Sequence, residues 1–119
     1  MAIQQPEEKV FGENVAKALE VLLDMGEKYG FSCENIDYRC GKISLKSVNK
    51  KTEAYKEGFE NEVGVVGHID VVPAEASTWS CEPFALTLRD NLLLGRGTED
   101  DKGPLIAALY AMRYIKEEL

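Results

Sequence analysis

Between Glu13 and Tyr29 apolar residues return every three or four positions. Val15, Ala18, Leu19, Leu22, Leu23 and Gly26 fall on one face of a helix, and Glu13 and Lys17 form an i,i+4 pair on the other. Gly30 supplies the stop. The period then shortens. Ser32 to Tyr38 and Lys42 to Val48 read as short strands, and Asn49 to Asn61 is polar enough for a turn or loop. Val63 to Ile69 is a nearly continuous apolar run, which predicts a strand buried on both faces. Phe84, Leu86 and Leu88 alternate with Ala85, Thr87 and Arg89. Asp90-Asn91 then makes a turn and Leu92-Leu93-Leu94 returns, a predicted hairpin. Leu105 to Leu119 is a second helix. Leu105, Ala108, Leu109, Met112 and Ile115 form its stripe, Pro104 suits its first turn, and Lys116-Glu117-Glu118 is a solvated end.

Helix, strands, buried strand, hairpin, helix is an order that predicts a layered α/β domain. The length of 119 residues and a hydrophobic fraction of 45% allow one domain with a modest core. No repeat, linker or low-complexity segment divides it. The net charge of -7, without a basic stripe, argues against a nucleic-acid partner. The richest basic stretch, Lys42 to Lys56, is interleaved with Ser, Thr and Glu and reads as a solvated loop. No apolar run is long enough to span a bilayer, and the start has neither the basic nor the apolar region of a signal peptide. Cys33, Cys40 and Cys81 are odd in number and form no C-x-x-C pair, as expected of free thiols in a reducing compartment. These features predict a cytoplasmic protein without a membrane partner.

The candidate chemistry gathers at three motifs. His68, the only histidine, ends the apolar run and is followed by Asp70. In an extended segment residues i and i+2 point the same way, so the Asp70 carboxylate can fix the imidazole tautomer and leave one ring nitrogen for a metal ion. A structural histidine capped by a neighbouring aspartate fits the same two residues. Trp79 and Pro83-Phe84 come next and read as a loop anchor. Asp100 and Asp101 stand between Gly95-Arg96-Gly97 and Lys102-Gly103. One of the pair is explained as a helix cap. The flanking glycines predict unusual backbone angles or the close approach of another group, and a carboxylate held there can bridge two cations.

Together these motifs resemble the zinc-dependent superfamily that includes succinyl-diaminopimelate desuccinylase, acetylornithine deacetylase, glutamate carboxypeptidase, aminoacylases and carnosinase. The pattern His-x-Asp-Val-Val-Pro, then Trp with Pro-Phe, then Gly-Arg-Gly-x-x-Asp-Asp-Lys-Gly stands here in order. Asp-Asp-Lys-Gly-Pro is closer to the dipeptidase and carnosinase branch, and the helix from Val15 to Phe31 is similar to PepV-type bacterial dipeptidases.

The resemblance implies a zinc-exopeptidase-like catalytic domain with a central mixed sheet flanked by helices. It implies His68 as a terminal metal ligand, Asp70 as the catalytic residue that orients it, and Asp100 as the carboxylate bridging two zinc ions, with cobalt or manganese as substitutes. A cis peptide would follow Asp100. It also implies that residues 1–119 are the first part of that domain. The general base (the first Glu of a downstream pair), the further ligands and the lid or dimerisation domain would lie outside. The expected activity is dipeptide hydrolysis in the full-length protein, with this chain alone inactive. Two alternatives are an N-acyl amino acid deacylase of the same superfamily and a non-catalytic remnant acting as a binding or dimerising module. An uncovered sheet edge or apolar face invites self-association.

Overall fold

The computed structural model describes residues 9–45 and 63–118. They fall into two compact units, one taking the chain up to Gly64 and again from Ala111, the other Val65–Tyr110.

The first unit is built on α1, Glu13–Lys28, and its amphipathic pattern folds as predicted. Ala16, Leu19, Leu23 and Gly26 are buried, with Val15, Ala18 and Leu22 half-buried beside them. They pack on a hairpin of β1, Ser32–Ile36, and β2, Cys40–Ser44. Its register pairs Ser32 with Ser44 and Ile36 with Cys40. The predicted first strand is cut short at Ile36 because Asp37 and Tyr38 both turn to positive φ, 53° and 54°, the geometry that lets a tight turn follow the strand twist. The Arg39 N–H donates to the Ile36 carbonyl at 2.9 Å and closes that turn. The second strand starts earlier than Lys42 for the same reason. The predicted strand residues past Leu45 and the predicted loop from Asn49 lie outside the described residues.

Two expected contacts are replaced by others. Glu13 finds its cation on the N-terminal side, in Lys9 at 2.8 Å, rather than in Lys17. Lys116 is more than a solvated end: its Nζ donates to the Tyr29 carbonyl at 2.6 Å, placing a cation at the C-terminus of α1, where the helix dipole favours it. Gly30, at φ 79°, ends α1 as predicted.

The second unit holds the predicted hairpin, β3 Thr87–Arg89 and β4 Leu92–Leu94, with Arg89 opposite Leu92. Asp90 and Asn91 take φ of 51° and 62° and make its two-residue turn. The second helix, α2, runs Lys102–Glu118 and so begins before the predicted Leu105. Gly103 and Pro104 fit inside its first turn, where backbone N–H groups have no helical acceptor to lose.

The predicted buried strand at Val63 to Ile69 is not formed. The segment pairs with no strand among the described residues, and Val63 and Val66 are 93% and 98% exposed. A strand is buried on both faces only when neighbours flank it and layers cover it. Both described sheets are two-stranded and made from other segments. The mixture of helix and strand agrees with the predicted α/β class, with small sheets. Among the described residues no helix is long and apolar enough to cross a membrane.

Candidate metal centre

Two loops in the second unit meet at His68. One is the extended segment that carries it on to Pro73. The other is the turn from Gly95 into the start of α2. That turn is tied by its own backbone: Thr98 donates its N–H and hydroxyl to the Gly95 carbonyl at 3.3 and 2.9 Å, and the Lys102 N–H donates to the Gly97 carbonyl at 3.0 Å. Both readings of the glycines hold here. Gly97 adopts φ 95°, a region side chains disfavour, and a Cβ on Gly103 would run into the Thr98 carbonyl oxygen.

This geometry delivers Asp100 to the histidine. Asp100 Oδ1 lies 2.8 Å from His68 Nε2. On the other side of the ring, Nδ1 lies 3.1 Å from the Asp70 carbonyl oxygen and 3.3 Å from Asp70 Oδ1. Asp70 therefore orients the imidazole with its main chain first and its carboxylate second, where the sequence pointed to the carboxylate alone. The Asp100–Asp101 peptide is cis, as the resemblance implies.

With an acceptor at each ring nitrogen, the doubly protonated imidazolium is the form that satisfies both. The hydrogen bond that His68 donates to Asp100 holds the His68 pKa above the ordinary imidazole value, with partial desolvation opposing it and the Asp70 carbonyl adding to the rise. The pair is open to solvent: the side chains of His68 and Asp100 are 49% and 85% exposed. The contact sets an imidazole nitrogen opposite a carboxylate oxygen, the donor types that suit a borderline metal such as zinc. The residues present thus fit one part of a metal centre. Among the described residues no group of three or more His, Cys, Asp and Glu side chains is arranged to hold an ion.

Two residues near the site stood in the sequence motifs without a role at His68. Asp101, read as a possible cap, accepts the His68 main-chain N–H on its Oδ2 at 3.0 Å. Arg96 anchors the loops: its guanidinium lies 4.9 Å from the Trp79 ring centroid, and its main-chain N–H donates to the carbonyl of the buried Pro83 at 2.6 Å. An arginine between two glycines, one loop after a tryptophan, was the available signal. The expected anchor of Trp79 and Pro83 is present, with Arg96 as its third member. Phe84 is exposed instead.

Comparison with known proteins agrees with the motifs. Residues 64–119 match the model of Peptidase family M20/M25/M40. The protein named "Putative dipeptidase YtjP" of Bacillus subtilis (strain 168) is 38% identical over 109 residues, which covers 92% of this chain and 21% of that protein. "Putative dipeptidase" of Staphylococcus epidermidis is 38% identical over 106 residues, covering 89% of this chain and 20% of its own length. No solved structure matches. The chain spans about a fifth of the length of the curated relatives it matches. With the motif-bearing residues inside the matched region and relatives aligned over most of the chain, the chain belongs to peptidase family M20/M25/M40.

Proposed function

We propose that the full-length protein is a cytoplasmic, metal-dependent dipeptidase, and that this chain supplies the first part of its catalytic domain. The observation that carries the reading is the convergence of His68 Nε2 and Asp100 Oδ1, 2.8 Å apart, in a chain whose relatives are named as dipeptidases. Zinc is the metal proposed, with cobalt or manganese as substitutes. When bound, such ions polarise the scissile carbonyl and make water acidic enough to serve as nucleophile at neutral pH.

The chain's own residues prepare that chemistry. His68 offers Nε2 as a terminal ligand once its proton leaves. Asp70, held against Nδ1, keeps the other proton in place and so fixes the tautomer with the free lone pair on Nε2. Asp100 is the proposed bridging carboxylate. Its exposure leaves its oxygens open to ions as well as to the imidazole. The general base that takes the proton from water is assigned, by resemblance, to a glutamate beyond Leu119. The 119-residue chain is therefore expected to be inactive alone.

The test is a substrate panel on the purified full-length protein with zinc, cobalt or manganese. Free dipeptides should be hydrolysed faster than N-acyl amino acids, and Asp100→Ala should lower the rate at least about a hundredfold, as loss of a metal-site carboxylate does. Preference for N-acyl amino acids makes the protein a deacylase. No hydrolysis of either class removes the proposal.

A further inference from the structure

We propose that Asp101 is a positioning residue: its carboxylate holds the main chain of His68 and thereby sets where the imidazole stands opposite Asp100. Adjacent aspartates take the two ends of one residue. Asp100 Oδ1 meets the His68 ring at 2.8 Å, and Asp101 Oδ2 accepts the His68 N–H at 3.0 Å. A hydrogen bond from a backbone amide to a carboxylate is charge-assisted and about twice as strong as a neutral one.

The bond matters because little else fixes this backbone. Among the described residues, no backbone–backbone hydrogen bond reaches the segment from Val63 to Val72. Asp101 itself is firmly placed. It is half-buried, and its carbonyl accepts the Leu105 N–H at 3.0 Å in the first turn of α2. The helix start is thus the reference frame, and the Asp101 side chain transfers that frame to His68.

Gly67 makes the approach possible. A Cβ there would lie 2.5 Å from Asp101 Oδ2 and 2.6 Å from Leu105 Cδ2, so the ends of both side chains would have to shift. A glycine immediately before His68 thus leaves the carboxylate free to lie across it. The same arrangement gives the second aspartate of the Asp-Asp pair a task distinct from that of the first: Asp100 acts on the ring, Asp101 on the chain that carries the ring.

The importance of this clamp for metal binding rests on the proposed function, but the clamp itself is tested without metal. In the isotope-labelled chain, hydrogen exchange of the His68 amide and the nitrogen shifts of its ring are followed by NMR. Asp101→Ala should speed exchange of that amide about tenfold or more, the size of one net hydrogen bond, and move the Nε2 shift as the ring leaves Asp100. Asp101→Asn keeps an acceptor oxygen and should restore most of the protection and the wild-type ring shift. Gly67→Ala keeps the carboxylate but displaces it, and should reproduce the alanine effect. If Asp101→Ala fails to fold, the asparagine and Gly67 variants decide between them. Unchanged amide exchange and ring shifts in Asp101→Ala, or in Gly67→Ala, overturn the proposal. Zinc titration of the full-length protein separates the two readings: absence of zinc binding with an intact Asp101 effect sinks the metal site and spares the clamp, and the converse sinks the clamp alone.

Discussion

The proposed function rests on His68, and its surroundings make a pH prediction with a definite sign. Asp100 raises the ring pKa above its unfolded value, so the ring keeps its proton to higher pH than a free histidine. The stabilisation from that pair is fully present below the unfolded pKa and is lost as pH rises through the folded one. The proposed metal uptake would run the opposite way: it needs the neutral ring and should weaken as pH falls through the same range. In an NMR titration of the metal-free chain, His68 should show a midpoint above that of the chain in urea, and Asp100→Asn should bring it down. Equal midpoints would show that the 2.8 Å contact is not populated in solution. The pairing of His68 with Asp70 was legible in the sequence because alternation along an extended segment is local. The contacts with Asp100 and Asp101 depend on a chain reversal that residue spacing alone does not encode. The glycines marked that reversal without saying which aspartate met which atom.

Among the elements, those set by near neighbours were read correctly. The 3.6-residue period marked α1, and Asp90-Asn91 marked the second hairpin because its two turn residues tolerate positive φ. The extended run from Val63 to Ile69 was misread because burial of a strand depends on partners far away in sequence. Lys116 was misread for the same reason, since the carbonyl it reaches, on Tyr29, is 87 residues away. Buried Leu19 and exposed Val21 of α1 supply a test of the packing argument. Leu19→Ala should cost about 2–5 kcal/mol in urea denaturation, and Val21→Ala should stay within about 0.5 kcal/mol of wild type. Equal effects would mean that α1 does not pack on the β1–β2 hairpin.

At the scale of the whole molecule, the chain exposes much apolar surface. Val63, Val65, Val66, Leu86 and Leu88 are each between 69% and 98% exposed. Such surface favours association with further strands or with a second copy. We expect the purified chain to self-associate, with a mass by light scattering that rises with concentration. A constant monomer mass over a hundredfold range, about 2.7 kcal/mol of association free energy, would contradict this. The family and the α/β class were legible because motif order survives in a short segment, whereas the completed metal site was not, because one histidine and one adjacent loop bring only part of a donor set together. The proposed function places His68 and Asp100 in a metal site of a peptidase. Its most direct test is the metal content of the purified full-length protein, wild type against His68→Ala, by elemental analysis after dialysis against zinc. Bound zinc is expected in the wild type, with a clear loss of it in the variant; equal metal in both would rule His68 out as a ligand.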